Sequence, residues 1–300
     1  MPRAAAGQAL DAAPMAALPA PRLSFSETEM QLAERVADHP GLADFYGTNG
    51  LKPIFAGAEG APRRAALIEA LGQAASHGLP AARYRQAALR RLDDAGADTV
   101  EGEIRFARAF ADWSRDVTGG ILDPRRVEPG IKREVQRPRT GDLLRAFAAA
   151  DDPAAMLATL PPQDPRYEAL RQALARQSQL VAPADAPPVP EGLWREGTSD
   201  PAVAALRVRL ASVGFAAAPQ DSPLTYDGAL AQAVAAYQRA AGLPADGVAG
   251  PRTVARLNRG TGPESEAILV ALERMRWMAG HDLNARHVWV NLPEFNARIY

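Results

Sequence analysis

The feature that constrains the fold most is the helical spacing of apolar residues over positions 26–177. In the stretch EGEIRFARAFADWSRDV, small and apolar side chains recur three and four positions apart on one face: Ile104, Ala107, Phe110, Ala111 and Ser114. A second stretch, RRAALIEALGQAASHGL, repeats this pattern as far as Gly78, where a helix is expected to end. Such spacing is typical of amphipathic helices around a shared core. The sequence therefore predicts a mainly α fold.

Helix starts in the same region carry their own signals. Ser26 is followed three residues later by Glu29, which is a capping-box pattern. Asp152 and Asp164 each precede a proline, which predicts an N-cap followed by proline in the first helical position. The stretch GGILDPRRVEPGIKREVQRPRTGD breaks the helical period and predicts a long loop.

The rest of the chain divides by composition. Residues 178–199 are rich in proline and have no helical period, which predicts a linker. Residues 200–259 contain three short capped helical patterns and predict a small three-helix module. The last stretch, HVWVNLPEFNARIY, alternates in period two on both sides of a turn at Pro293 and predicts a β-hairpin.

The N-terminal residues 1–25 favour a disordered leader because they are dominated by alanine and proline. A secretory signal is the alternative, but Asp11 and the prolines interrupt the apolar run that such a signal needs. No stretch approaches the roughly 18 apolar residues of a membrane span. The formal net charge of -1 gives no electrostatic argument for nucleic acid as a partner.

The cysteine and histidine content limits the disulfides, catalytic nucleophiles and metal sites that the sequence can form. The sequence has no cysteine, which removes disulfides, thiolate ligands and a cysteine nucleophile from these residues. His39 and His77 precede Pro40 and a helix-ending glycine, so structural roles are expected. His281 and His287 do not have the spacing of helical metal ligands. We therefore predict no metal site and no cofactor.

Two stretches resemble known families. Residues 200–258 resemble the peptidoglycan-binding domain type 1 through the motifs VAALRVRLASVGF, YDGALAQAVAAYQRAAGL and DGVAGPRTVARLN. The stretch LERMRWMAGHDLNARHVWVNLPEFNARIY is similar to the start of a YkuD-type L,D-transpeptidase catalytic domain. The motifs FYGTNGLKPIF, HGLPAARY and ILDPRRV resemble the scaffold domain that precedes these modules in large L,D-transpeptidases.

The resemblance implies a domain order: a scaffold domain over 26–177, a peptidoglycan-binding module over 200–259, and a connecting helix with the first hairpin of an incomplete β-rich catalytic domain over 260–300. The family's histidine and nucleophilic cysteine lie downstream of such a hairpin, so the chain is expected to be truncated before them and to contain no catalytic residue. The parent would then crosslink peptidoglycan stem peptides through a cysteine thioester. A non-catalytic peptidoglycan-binding or scaffolding protein is the alternative.

The same resemblance implies residence in the periplasm or cell envelope, with peptidoglycan as partner and other cell-wall synthesis proteins as further candidates. In the connecting helix, Glu273, Arg274 and Arg276 are not expected to form an acid–base cluster, because adjacent helical positions do not share a face. Instead, Arg276 and Trp277 are expected to anchor this helix against the catalytic domain.

Three residues are the candidates for peptidoglycan binding, as exposed side chains beside the turns of the module: Tyr226, Gln238 and Arg252. Arg252 would pair with a stem-peptide carboxylate, and Tyr226 would offer an aromatic face to sugar CH groups. Structural alternatives stay open, since Tyr226 can pack the loop and Gln238 can cap backbone groups.

Overall fold

The computed structural model describes residues 24–131, 133–183, 185–259, 263–278, 280–281, 285–291 and 295–299. Most of the predicted leader, the predicted turn at Pro293 and the terminal Tyr300 lie outside these residues. The described part is mainly helical, as predicted. Its α-helices are α1 (Glu27–Val36), α2 (Pro40–Thr48), α3 (Gly57–Gly72), α4 (Gln86–Asp94), α5 (Val100–Gly119), α6 (Pro124–Val127), α7 (Thr140–Ala149), α8 (Pro153–Ala158), α9 (Pro165–Ser178), α10 (Pro201–Ser212), α11 (Gly228–Ala240), α12 (Pro251–Arg259) and α13 (Pro263–Arg276).

Two short 3-10 helices, Ala74–His77 and Ala81–Tyr84, and two β-strands complete the regular structure that is described. The strands are β1 (Val288–Asn291) and β2 (Asn296–Ile299). They pair antiparallel, with Val288 opposite Ile299 and Val290 opposite Ala297. The predicted hairpin is therefore confirmed.

The first core forms around α5, where the five residues of the predicted face are all buried. Phe106 stacks on Phe55 with ring centroids 5.8 Å apart, and Phe110 packs on Phe147 at 4.9 Å. Aromatic pairs at these separations add to the free energy gained by burying apolar area. This core holds helices α1–α5, α7 and α8 together.

The carboxylate of Glu103 lies inside this core, with only 1% of the residue exposed. Its Oε1 accepts from the Ile54 N–H at 2.8 Å, and its Oε2 accepts from the Phe55 and Ala56 N–H groups, each at 2.7 Å. The hydroxyl of Tyr46 also donates to Oε1. A buried carboxylate is tolerated when its lone pairs are filled in this way. Glu103 thus fixes the turn before α3 against the first turn of α5.

The predicted helix starts are confirmed. Ser26 and Glu29 form a full capping box at the start of α1. The side chains of Asp152 and Asp164 accept backbone N–H groups at the starts of α8 and α9. In the described residues of the predicted loop between α5 and α7, the regular structure is the single-turn helix α6, which Asp123 caps.

The prediction of one continuous helix up to Gly78 is wrong, although Gly78 does end the segment in the left-handed region with φ 70°. The α-helix stops at Gly72, and a 3-10 helix follows. Glycine is a poor helix former, and the Gln73 N–H already divides its bond between the Glu69 and Ala70 carbonyls, both at 3.2 Å, as the helix tightens. The change of helix type places His77 in the interior.

A second core belongs to α10, α11 and α12. The stretch predicted as a linker contributes to it, because Leu180, Val189 and Trp194 are buried there. Trp194 pairs with Ala249 through backbone bonds of 3.1 and 2.9 Å, and Asn258 bonds both backbone groups of Val189 at 2.9 and 2.7 Å. The proline-rich segment therefore lacks a helical period, as predicted, but it packs against the module and is not a free linker.

Helix α13 returns to the first region and packs mainly on α9. Arg276 is 1% exposed and donates to the His77 carbonyl at 2.8 Å and to the Tyr167 hydroxyl at 3.0 Å. Glu273 accepts from the Arg276 guanidinium at 2.8 Å and from the Leu122 N–H at 2.8 Å.

Two expectations about α13 are wrong. Glu273 and Arg276 do interact, because residues three apart share a helix face. Arg276 anchors α13 to the helical region over 26–177 and not to a following domain: its guanidinium contacts α9 and the 3-10 helix that ends at His77. The Trp277 indole N–H donates to Glu273 at 3.1 Å.

The hairpin presents apolar side chains to solvent, with exposed fractions of 61% at Val288, 58% at Val290, 96% at Phe295 and 72% at Ile299. Among the residues that the structure describes, no helix has both the length and the apolar character needed to cross a membrane.

Candidate functional site

The site is built from the module formed by α10–α12, and Tyr226 lies at its centre and not at its surface. The side chain is fully buried at the start of α11, and its hydroxyl donates to the Gly247 carbonyl at 2.7 Å. Burial raises the pKa of this hydroxyl. The expectation of an exposed ring is therefore wrong, because the apolar ring fills the space between α11 and the turn that contains Gly247.

Gln238 is also buried, at 2% exposure. Its amide oxygen accepts the Gly247 N–H at 2.9 Å, and its amide nitrogen donates to Asp246 at 2.8 Å, to the Val248 carbonyl at 3.0 Å and to Thr253 at 3.0 Å. The prediction that Gln238 is exposed is therefore wrong. Its amide has both donors and an acceptor, so from a buried position it forms hydrogen bonds with the polar groups of this turn.

The turn itself requires glycine. Gly247 has φ 70°, and a Cβ at this position would lie 2.9 Å from the Ala231 carbonyl oxygen. Asp246 accepts the Val248 N–H at 2.9 Å, and this bond together with the bond from Gln238 lowers the pKa of its carboxyl. The turn is consequently a rigid unit that sets where α12 begins.

Arg252 is the predicted site residue that the structure places at the surface. It is the second residue of α12, and its side chain has no hydrogen bond or ion pair with any residue the structure describes. Leu193 lies beside this helix start, 60% exposed, with a methyl carbon 3.4 Å from the Cβ position of Gly250. The surface thus combines a guanidinium, an apolar side chain and the N-terminal turn of a helix, whose N–H groups lack intrahelical acceptors.

Sequence reasoning missed two arginines that hold the module together. Arg207 is 7% exposed and bonds Asp227 at 2.6 Å and the carbonyls of Ala217 and Thr225 at 2.9 and 2.8 Å. Arg209, equally buried, bonds the carbonyls of Leu257 and Asn258 at the end of α12. The signal available was their position in VAALRVRLASVGF, where two arginines alternate with apolar residues inside one short helix.

Asp227 is the buried partner of Arg207 and the N-cap of α11. Burial alone would raise the pKa of its carboxyl, but bonds from the Gln220 and Leu230 N–H groups and from Arg207 outweigh it and lower the pKa. These bonds hold α10, α11 and the loop between them in one arrangement. They therefore stabilise the module whose surface carries Arg252.

Two segments of the chain match known protein families. Residues 199–257 match the family described as a putative peptidoglycan binding domain. Residues 40–174 match the family described as the Scaffold domain. A comparison with curated proteins found no match. The two matches fit the large scaffold-type arrangement expected from the motifs, and the peptidoglycan-binding match supports association with the cell wall.

A second polar cluster lies apart from the module, around His77. The His77 Nδ1 is 3.1 Å from the Tyr167 hydroxyl, which accepts from Arg276 and is therefore oriented to donate to the imidazole. Burial, together with the positive charges of Arg171 and Arg276, lowers the pKa of His77 to about 4. The imidazole is therefore neutral at pH 7 and serves as an acceptor in the contact between α9 and α13.

This pKa predicts an acid-sensitive contact. The unfolded chain, with a histidine pKa near 6.5, binds the proton more readily than the fold does, so the contribution is complete above about pH 6.5 and is lost as the pH falls towards 4. We expect a loss of about 3 kcal/mol in the free energy of unfolding from this group. His77→Gln should flatten the pH dependence of urea unfolding between pH 7 and 4. His39→Asn, which keeps an N-cap, should leave it unchanged, and equal profiles for His77→Gln and wild type would contradict the assignment.

Proposed function

We propose that the chain binds peptidoglycan through the module at 199–257, at the surface formed by Arg252, Leu193 and the start of α12. The observation that carries this proposal is the match of that segment to a peptidoglycan-binding family. The exposed and unpaired guanidinium of Arg252 supports this location. Tyr226 and Gln238 stay in the proposal as residues that position the turn beneath the surface, since their side chains are buried.

The chemistry of this surface suits a stem-peptide carboxylate. A guanidinium binds a carboxylate through two parallel hydrogen bonds, and the first turn of a helix adds N–H donors and a partial positive charge. Leu193 offers apolar contact to a neighbouring side chain of the peptide. Each contact of this kind is weak because it is exposed to solvent, but repetition of the ligand along one polymer raises the effective concentration.

Replacing Arg252 with alanine should reduce the fraction of protein that sediments with purified peptidoglycan sacculi. The thermal midpoint should be nearly unchanged because the side chain is exposed. Arg239→Ala is the matched control, since Arg239 is exposed on α11 of the same module. Undiminished sedimentation of Arg252→Ala and of a protein lacking residues 199–257 would show that the module is a spacer.

We further propose that the chain is the N-terminal part of a scaffold-type L,D-transpeptidase of the cell envelope. The order of the two family matches and the motif ERMRWM before the hairpin support this proposal. The 300 residues contain no cysteine, so the thioester nucleophile of that reaction would come from outside them. In this arrangement the 300 residues bind peptidoglycan and position the catalytic domain.

A non-catalytic wall-binding protein is the competing proposal, and the lack of cysteine in these 300 residues agrees with both proposals. Incubation of this chain with tetrapeptide-bearing muropeptides should yield no new crosslinks by mass spectrometry. The gene sequence beyond Tyr300 separates the two proposals, because a histidine and a Ser-x-Gly-Cys motif there would identify a transpeptidase.

A further inference from the structure

A groove on the scaffold region is basic although the chain carries 34 basic and 35 acidic residues. Two recesses of about 510 Å³ and 440 Å³ adjoin each other and share two lining residues, Arg115 and Arg137. Together they form what we call the basic groove, whose charged lining is Arg115, Arg126, Arg137, Arg139, Arg145, Asp44 and Asp123. Five arginines face two aspartates in this lining. Asp142 lies beside it and binds Arg145 at 2.6 Å, and Asp116 lies beside it and binds Arg83 at 2.7 Å, so the local charge remains positive.

The acidic groups in the groove are already engaged. Asp44 binds Arg145 at 3.0 Å, and Asp123 caps α6 by accepting the Arg125 N–H at 3.1 Å. Neither aspartate forms an ion pair with Arg115, Arg126, Arg137 or Arg139, although the charge of Asp123 still acts on Arg137.

Three of the arginines have guanidinium N–H groups that form no hydrogen bond with the described residues. Arg126 and Arg139 are exposed, and their side chains make no hydrogen bond or ion pair with the part of the chain that the structure describes. Arg115 lies 3.7 Å from the Asp116 carboxylate, beyond hydrogen-bond distance. The other oxygen of that carboxylate is bound by Arg83 at 2.7 Å.

Arg137 is held in the floor of the groove by the carbonyls of Gly119 and Gly120, at 3.0 and 3.1 Å. Its Nε is buried and has no hydrogen-bond partner. Burial, followed by the nearby charge of Arg115, lowers the pKa of this guanidinium. Like charges held together at a partly buried position are relieved by an anion between them.

We infer that the basic groove is a second contact site for peptidoglycan and binds carboxylates of the stem peptide; this inference rests on the proposed function. Planar guanidinium groups match carboxylates in geometry and charge. Leu122 and Val127, 45% and 53% exposed, border the same groove and suit the apolar side chains of a short peptide. The groove belongs to the scaffold region and the first site to the module, so one chain would hold the polymer at two points.

The direct test uses a soluble tripeptide with free carboxylates and its amidated counterpart, titrated into the full chain. The arginine Nε–H resonances of Arg115 and Arg137 should shift with the acidic peptide and stay in place with the amidated one. The double variant Arg115→Gln, Arg126→Gln should weaken binding roughly tenfold, as expected for the loss of two solvent-exposed ion pairs. Arg35→Gln with Arg105→Gln removes two exposed arginines elsewhere and should leave binding unchanged.

Sedimentation with sacculi separates this inference from the proposed function. If wild-type protein sediments but the acidic peptide shifts no groove resonance, or both double variants bind alike, the groove assignment falls and wall binding stands. If the peptide binds at the groove but the wild-type chain does not sediment, the wall function fails and the carboxylate site remains. Sacculi stripped of stem peptides should retain less wild-type protein. The loss on stripping should be smaller for the groove variant, because only the surface at Arg252 then remains to bind stem peptides.

Discussion

Replacing Arg276 with alanine is expected to lower the free energy of unfolding by about 3–5 kcal/mol, because the change strands the buried carboxylate of Glu273. It also removes the bonds that tie α13 to the His77 carbonyl and the Tyr167 hydroxyl. Urea unfolding measures the total loss. Hydrogen exchange along α13 should show where the loss occurs, since Arg276 adds polar contacts to the apolar cluster of Tyr167, Leu174 and Leu272 between α9 and α13.

Two comparisons isolate the cause. Arg274 is exposed on the same helix, so Arg274→Ala should change the free energy of unfolding by less than about 0.5 kcal/mol. Adding Glu273→Gln to Arg276→Ala removes the stranded charge and keeps an acceptor for the Leu122 N–H, so about 1 kcal/mol or more should return. A loss near zero for Arg276→Ala would mean that α13 is held by apolar contacts alone.

The local signals in the sequence predicted local structure well. The capping box at Ser26, the Asp-Pro starts at Asp152 and Asp164 and the buried face of α5 all depend on residues within one or two helical turns. The hairpin was predictable for the same reason, since its pattern and its partner lie within 12 residues in sequence. Hydrophobic periodicity and capping residues were therefore sufficient to predict a mainly α fold.

Long-range polar contacts were not predictable in this way. Glu103 meets the 54–56 turn 47–49 residues away, and Arg276 meets the His77 carbonyl 199 residues away. A single sequence shows that such residues are charged but not that they are buried, because burial of a charge is decided by partners far along the chain. The same limit explains why Tyr226 and Gln238 were assigned to the surface, whereas Arg252 lies there.

The sequence also left the direction of α13 open. Its charged residues predicted contact with a following domain, but the complementary groups are the backbone carbonyl at His77 and the hydroxyl of Tyr167 in the scaffold region. The proline-rich stretch 178–199 was ambiguous for a related reason, because proline excludes a helix without excluding burial. Trp194 within it was the available signal that this stretch packs against the module.

Glu103→Gln should have an effect of similar size in the first core, at about 3 kcal/mol or more in the free energy of unfolding. The carboxylate accepts four hydrogen bonds, from the Tyr46 hydroxyl and from the three N–H groups of residues 54–56. A glutamine amide presents one oxygen, so its NH₂ group would face either the Ile54 N–H or the N–H groups of Phe55 and Ala56, and at least one buried N–H would then lack an acceptor.

Glu101→Gln is the matched control for this change, because Glu101 lies on the same helix, its side chain is 41% exposed, and its pairs with Arg35 and Arg105 are at the surface. Pairs of this kind contribute about 0–1 kcal/mol, so urea unfolding should separate the two variants by roughly 2 kcal/mol or more. The amide protons of Ile54, Phe55 and Ala56 should lose protection against exchange in Glu103→Gln and keep it in Glu101→Gln. Equal stabilities, with those three amides still protected, would mean that the 54–56 turn is held by the Phe55 ring in the core and not by the carboxylate beneath it.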